Sequence, residues 1–193
     1  MQNDTSFAKL VSLGCHDVRT PLATVHGFAK TLERVGELAP PADRYVEMIE
    51  KASMQMAELL DELSLAARIE QGTYEPVLRD ADTLAFAEAA RERLGSDRVH
   101  VSGEGGAIST DVEPVDRGVS ALIQAALRHG GLDEVTVTVR GLVIEVHPVT
   151  ASSSRVVLGR DLRDLGAAVA VRLIERLGGA VTVEGETLRV SFA

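Results

Sequence analysis

The sequence has little of what disulfide-bonded, zinc-binding and nucleic-acid-binding proteins need. Its 193 residues contain one cysteine, Cys15, so an internal disulfide is impossible and cysteine residues cannot assemble a zinc site. Tryptophan is absent, aromatic residues make up 3% of the chain, and the net charge is -9. Clustered Lys and Arg supply much of the affinity for phosphate backbones, and aromatic side chains stack on bases. The composition therefore argues against a nucleic-acid partner.

Long apolar runs are missing as well. No stretch approaches the ~20 apolar residues of a membrane-spanning helix. The first residues, Met1-Gln2-Asn3-Asp4, lack the basic-then-apolar pattern of a signal peptide. These two absences predict a cytoplasmic protein with no membrane partner. The chain does have 45% hydrophobic residues, which is enough for one or two small domains with buried cores.

Two heptad stripes predict a helical hairpin near the N-terminus. Apolar or small residues alternate at spacings of four and three between residues 7 and 35, and again between residues 45 and 66. The first stripe is Phe7, Val11, Gly14, Val18, Pro21, Val25, Phe28, Leu32 and Val35, and the second is Tyr45, Ile49, Ala52, Met56, Leu59, Leu63 and Ala66. The pair Pro40-Pro41 separates the helices, and Gly72 is the expected C-cap. Because one hairpin leaves part of each stripe in water, we expect two copies to form a four-helix bundle.

After about Tyr74 the pattern changes to short alternating runs separated by helical segments. The expected strands are residues 99–101, 135–139, 142–146 and 188–192, and the expected helices are residues 83–94, 116–128 and 165–177. This mixture predicts a two-layer α/β sandwich. The predicted fold class is therefore α+β, with a helical hairpin over residues 1–74 followed by a sandwich over residues 75–193.

The segment His16-Asp17-Val18-Arg19-Thr20-Pro21-Leu22 combines an imidazole, a carboxylate and a hydroxyl on the first helix. In the heptad register of the first stripe, His16 takes position f, the position farthest from the bundle core. A neutral imidazole nitrogen is a nucleophile and can form a phosphoramidate. Neighbouring residues diverge on a regular helix, so contact between Asp17 and the ring needs a suitable rotamer or a local distortion. Pro21 is a source of distortion, because it has no amide to donate to the Asp17 carbonyl.

This segment resembles the phospho-acceptor box of two-component histidine kinases. The resemblance implies that His16 accepts a phosphoryl group and that Asp17 orients its ring and accepts its proton. It also implies that Thr20 positions the water that hydrolyses a phosphorylated response regulator. The competing interpretation is a histidine that merely decorates a solvated helix face. Arg19 and Cys15 are interpreted as surface residues without an assigned role.

The C-terminal domain resembles, in outline, the catalytic ATP-binding domain of the same family. Residues 111–129 resemble the helix that contains its asparagine box, but the two asparagine positions hold Ala121 and Ala125. The second asparagine normally supplies a magnesium ligand, which has to be an oxygen atom. The strand expected at residues 142–146 runs into residues 147–150, His-Pro-Val-Thr, without the aspartate and glycines that contact adenine in the family.

The third nucleotide motif of the family, a glycine-rich turn that holds phosphates, also differs here. Its counterpart is residues 162–167, where Gly166 remains and Asp164 adds negative charge. The lid at residues 150–160 is short for a nucleotide clamp. These departures predict a domain that has kept its packing without its ligand, so no ATP, magnesium or other metal cofactor is expected. Arg128 and Gly166 are the two residual candidates for a nucleotide contact.

The resemblance implies a homodimeric phosphorelay protein of two-component signalling. His16 is expected to accept a phosphoryl group from a response-regulator receiver domain, or from a separate histidine kinase, and to donate it to another receiver. Two alternatives stay open: an autophosphorylating sensor histidine kinase with a divergent ATP site, and a non-catalytic pseudokinase scaffold. A phosphatase activity toward a response regulator is compatible with the first interpretation and depends on Thr20.

Overall fold

The computed structural model of the chain describes residues 2–35 and 38–193. It leaves out the side chains of residues 2–6 and of Val35, the last member of the first predicted stripe. The chain divides after Tyr74 into two compact units. Within the described ranges, no helix combines the length and the apolarity needed to cross a membrane.

The N-terminal unit is an antiparallel hairpin of two long helices, α1 (Gln2–Val35) and α2 (Ala42–Glu70). Helix α1 continues through Pro21, and α2 begins directly after Pro41. Gln71, rather than the expected Gly72, is the C-cap residue of α2. Gly72 follows in the left-handed conformation, with φ of 69°, and its amide donates to the Ile69 carbonyl. A glycine one residue beyond the cap is where this conformation usually ends a helix.

The contact between α1 and α2 uses a face other than the predicted stripes. The buried residues of α1 recur every seven positions, at Ala8, Cys15, Leu22 and Ala29. The buried residues of α2 are Val46, Ser53, Leu65 and Ala67. Cys15, expected on the surface, is only 3% exposed because it lies on the same face of α1 as Leu22. Small side chains at this spacing let two helices approach closely along one line.

The predicted stripes themselves are exposed in the single chain. Ten of their large side chains are 36–69% exposed, and they are Phe7, Val18, Val25, Phe28 and Leu32 on α1 and Tyr45, Ile49, Met56, Leu59 and Leu63 on α2. Val25 follows His16 by nine residues, so at about 100° per residue the two lie about 180° apart around α1. His16 therefore lies on the side of the helix opposite to this exposed apolar face.

The C-terminal unit contains seven strands and four helices among the described residues. The strands are β1 (Leu78–Asp82), β2 (Val99–Gly105), β3 (Ala107–Asp111), β4 (Val135–Gly141), β5 (Val143–His147), β6 (Ala180–Glu184) and β7 (Thr187–Ser191). The helices are α3 (Thr83–Leu94), α4 (Val112–Gly130), α5 (Ala151–Val157) and α6 (Leu165–Arg176). Five strands form one sheet in the order β2-β4-β5-β7-β6, with β2 and β4 parallel and the other pairs antiparallel. Strands β1 and β3 form a separate antiparallel pair.

This unit is built from two layers, which confirms the predicted fold class. Alternate residues of β4, Val135, Val137 and Val139, are fully or almost fully buried. The core on the helical side includes Leu122 and Ile123 of α4, both similarly buried. One buried face per strand is the pattern of a sheet covered by helices on one side.

Four elements of the C-terminal unit, β1, β3, β6 and α5, were not predicted from the sequence. Strand β1 is short and its residues are mostly exposed, so its sequence lacks the alternation that marks a half-buried strand. Helix α5 lies inside the segment expected to be a lid. It begins with a capping box in which the Thr150 and Ser153 side chains and backbones bond reciprocally.

Candidate functional site

His16 and Asp17 are in direct contact on the exposed surface of α1. The Nδ1 atom of His16 lies 3.2 Å from Oδ1 of Asp17, and the two side chains are 77% and 68% exposed. An ionised carboxylate can only accept a hydrogen bond, so this contact favours the tautomer with its proton on Nδ1. The lone pair of Nε2 is then available as a nucleophile. The contact, for which either a suitable rotamer or a local distortion was expected, is present in a helix that continues through Pro21.

Thr20 lies one turn beyond His16 on the same side of α1. Both residues line a surface depression of about 490 Å³, together with Arg19, Ala23 and Thr24. The Thr20 carbonyl accepts a hydrogen bond from the hydroxyl of Thr24 at 3.2 Å. The structure therefore brings an imidazole and a hydroxyl together at an open surface that another protein could reach.

Arg19 connects this depression to α2. Its Nη2 atom donates to Oδ1 of Asp61 at 2.7 Å, and both side chains are 47% exposed. The surface position expected for Arg19 agrees with this geometry, but its pairing with Asp61 was missed. The available signal was the chain reversal at Pro40-Pro41, which places the C-terminal half of α2 beside the first half of α1.

A second polar contact between the helices lies about two turns beyond Arg19 along α1. His26 Nδ1 is 3.0 Å from the hydroxyl of Ser53, and Ser53 donates to the Glu50 carbonyl at 2.7 Å. Lys30 Nζ lies 2.5 Å from Oε1 of Glu50. This hydrogen bond from Lys30 lowers the pKa of the Glu50 carboxyl, and the same bond raises the pKa of Lys30. These contacts link the two helices between the His16 depression and the chain reversal at Pro40-Pro41.

In the C-terminal unit, Asp164 takes the position where the family resemblance implies a phosphate turn. Asp164 is the N-cap of α6, and its Oδ1 accepts from the amide of Ala167 at 3.0 Å. Its Oδ2 lies 3.0 Å from Nε2 of His129 and 3.9 Å from Nη1 of Arg128. The positive end of the helix dipole is thus paired with a carboxylate of the chain itself. The His129 pairing was not predicted, although His129 lies in the last turn of the helix that contains the two alanines.

The residual nucleotide candidates lie around this same carboxylate. Gly166 is in the first turn of α6, and Arg128 is near Asp164. Ala125 is completely buried in α4, and a methyl group offers magnesium no ligand. Across the residues that the structure describes, no group of three or more His, Cys, Asp or Glu side chains is arranged to hold a metal ion. These side chains do not fit a magnesium-bound nucleotide in the way that the resemblance implies.

The N-terminal hairpin matches a known protein family. Residues 9–72 match the His Kinase A (phospho-acceptor) domain, which includes His16 and nearly all of both helices. The match ends at Gly72, two residues before the division between the compact units.

Two relatives are sensor proteins of bacteria. Sensor protein DivL of Caulobacter vibrioides is 26% identical over 196 aligned positions, covering 89% of this chain and 25% of DivL. Sensor histidine kinase TrcS of Mycobacterium tuberculosis is 30% identical over 73 positions, covering 37% of this chain and 14% of TrcS. The chain thus spans a quarter or less of the length of each of these relatives.

Among solved structures, the chain is similar to full-length ShkA in complex with AMPPNP. The TM-score is 0.67 with 18% sequence identity, and the alignment covers 96% of this chain and 46% of ShkA. At 18% identity, the similarity to ShkA shows a shared fold. It extends over both units of the chain, so the α/β unit has the fold of the corresponding part of ShkA.

Proposed function

Because the N-terminal hairpin matches the phospho-acceptor domain of histidine kinases and the chain is similar to bacterial sensor proteins, we propose that it is a phosphorelay protein of two-component signalling. His16 accepts a phosphoryl group from the aspartate of a response-regulator receiver, or from a separate histidine kinase, and donates it to another receiver. The observation that supports this most directly is the exposed His16 ring held through Nδ1 by Asp17, within the matched domain.

The transfer needs no proton movement at the acceptor. The lone pair of His16 Nε2 attacks the phosphorus of the receiver's aspartyl phosphate, the P–O bond breaks, and the aspartate leaves as a carboxylate. The product is a phosphoryl imidazolium whose Nδ1 proton faces Asp17, and the carboxylate stabilises that positive charge. In the reverse direction a receiver carboxylate attacks the phosphorus and the P–N bond electrons return to Nε2. Asp17 is therefore a residue that orients and stabilises the ring.

Thr20 is placed for a second reaction at the same surface. Its side chain follows His16 by one turn and lines the same depression. A hydroxyl at that position can hold a water molecule toward the acyl phosphate of a docked receiver, and hydrolysis of that phosphate makes the protein a response-regulator phosphatase. This activity requires Thr20 and does not require phosphorylation of His16.

A second copy of the chain is the proposed partner of the exposed apolar face. Ten large apolar side chains of the two stripes are 36–69% exposed, and monomeric proteins rarely leave large apolar patches in water. Two such faces bury each other when two hairpins form a four-helix bundle. His16 lies about 180° from Val25 around α1, so the bundle leaves the acceptor open to a receiver.

The phosphoryl donor is proposed to be another protein rather than ATP bound to this chain. Support comes from the Asp164 carboxylate at the N-terminus of α6 and from the buried methyl group of Ala125. Autophosphorylation is the alternative function, and the relation to sensor histidine kinases favours it. A pseudokinase scaffold is a third function, in which the hairpin binds a partner without chemistry at His16.

Labelling with two phosphoryl donors separates these functions. The purified chain is incubated with radiolabelled ATP and magnesium, and separately with a panel of receiver domains carrying radiolabelled aspartyl phosphate. We expect label from at least one receiver, none from ATP, and none in His16→Gln. The matched control is His100→Gln, which removes an exposed histidine of the other unit and should label like the wild type. Label from ATP would establish the autokinase, and equal labelling of the two variants would contradict the role of His16.

A further inference from the structure

Arg19 is a charged residue of the His16 depression that the proposed chemistry has not yet used. It follows His16 by three residues on α1, so the two side chains are neighbours on the helix surface. Among the described residues that line the depression, Arg19 is the one with a permanent positive charge. Its guanidinium is held by Asp61 of α2 at 2.7 Å.

A phosphoryl group on His16 creates an electrostatic problem at this surface. The group brings up to two negative charges next to the Asp17 carboxylate, which already lies 3.2 Å from the ring. The attacking group of a receiver is a further carboxylate, so the transfer brings one anion onto another. A cation beside the phosphoryl oxygens reduces this repulsion in both directions of transfer. A guanidinium is suited to that position because its planar donors match the geometry of phosphate oxygens.

We propose that Arg19 exchanges partners when His16 is phosphorylated, leaving the carboxylate of Asp61 and bonding the phosphoryl group on Nε2. This inference rests on the proposed function, since it requires a phosphoryl group on His16. The exchange makes and breaks only hydrogen bonds and ion pairs, and Arg19 stays protonated throughout. The resting pair is half exposed on both sides, and ion pairs of this kind are weak, so Asp61 does not hold the guanidinium strongly.

The exchange also gives phosphorylation a consequence for the hairpin. The ion pair of Arg19 with Asp61 is one of the polar links between α1 and α2. When Arg19 leaves this pair, the Asp61 carboxylate becomes solvated on α2. The contact of His26 with Ser53 lies further along the hairpin and is not part of the exchange. Phosphorylation therefore loosens the connection between the helices at the level of His16 while the link at Ser53 remains.

The test uses potassium phosphoramidate, a small phosphoryl donor that makes the assay independent of the partner. Labelling rates are compared for the wild type, Arg19→Gln, Arg19→Lys, Asp61→Asn and His16→Gln. Arg44→Gln is the matched control, because it removes an exposed arginine of the same unit outside the depression. We expect Arg19→Gln to lower the rate of His16 labelling by about tenfold. Arg19→Lys should recover part of that loss, and Asp61→Asn should label at least as fast as the wild type.

A spectroscopic readout separates a contact with phosphate from a structural effect. The Nε–H resonance of Arg19 should shift when the wild-type chain is phosphorylated and stay in place when His16→Gln receives the same treatment. Circular dichroism checks the fold, and Arg19→Lys and Asp61→Asn supply the test if Arg19→Gln is unfolded. Labelling of Arg19→Gln within twofold of Arg44→Gln, or an unmoved Nε–H signal, overturns the inference alone. A wild-type chain that accepts no phosphoryl group on His16 from phosphoramidate or from any receiver overturns the inference and the proposed function together.

Discussion

Replacing Asp164 with alanine is expected to destabilise the C-terminal unit by about 2 kcal/mol. The Asp164 side chain is 10% exposed and accepts two hydrogen bonds, from the Ala167 amide and from His129, each at 3.0 Å. Loss of a helix N-cap costs about 1 kcal/mol. Loss of the bond to the 15% exposed His129 side chain costs about 1 kcal/mol more. Arg128, 3.9 Å away and mostly exposed, adds little.

The matched variant is Asp164→Asn, which keeps a capping acceptor because asparagine caps helices about as well as aspartate. We expect it to lose less than half as much stability as Asp164→Ala. The free energy of unfolding is measured by urea titration, followed by circular dichroism and by the amide resonances of α6. The resonances are needed because both tyrosines lie in the N-terminal unit and the chain has no tryptophan.

The result that would refute this reasoning is an Asp164→Ala variant within about 0.5 kcal/mol of the wild type, the range of an ordinary surface substitution. A loss for Asp164→Asn equal to that for Asp164→Ala would contradict the capping contribution alone. In that case the stabilisation would come from the charge of the carboxylate next to His129 and the helix dipole.

Two further predictions concern the hairpin. Phe28→Glu should weaken dimerisation by at least about 100-fold, because it buries an unpaired charge in the apolar face. The control is Thr31→Glu, which lies outside the predicted stripe and should leave dimerisation unchanged. Sedimentation equilibrium measures the dimer dissociation constants of the two variants, and equal weakening would contradict the assigned interface. Because the hydrogen bond from Lys30 lowers the pKa of Glu50, the pair stabilises the hairpin above the ordinary carboxyl pKa of 4.5 and loses that contribution as the pH falls through the lowered value. The difference in urea midpoint between the wild type and Lys30→Met should therefore be present at pH 7 and shrink progressively as the pH falls below 4.5, and a difference that stays constant as the pH falls would argue against this origin.

The heptad pattern predicted the two helices but not which of their faces pack inside the chain. Phe28 and Leu59 stand in regular apolar stripes, and a stripe of large residues is the strongest signal in such a sequence. The contact within the chain instead uses Ala8, Cys15, Leu22 and Ala29, and three of these four side chains are small and give a weaker signal. Periodicity reports that a face is apolar, and it does not report whether the same chain or a second copy covers it.

At the candidate site, the sequence identified His16, Asp17 and Thr20 as the residues to examine, and the structure places all three on one exposed surface. Their chemical roles stay predictions. The pairings of Arg19 and His129 were not foreseen, because each depends on a carboxylate at least 35 residues away in the chain. Such contacts follow from the tertiary fold rather than from local spacing.

The most direct test of the central claim is phosphorus NMR of the chain after exposure to a phosphorylated receiver domain. The account predicts a phosphohistidine resonance with phosphorus on Nε2, absent from His16→Gln, that disappears when an unphosphorylated second receiver is added and reappears as that receiver's aspartyl phosphate. A phosphohistidine signal that survives in His16→Gln, or one that no receiver can discharge, would contradict a phosphorelay through His16.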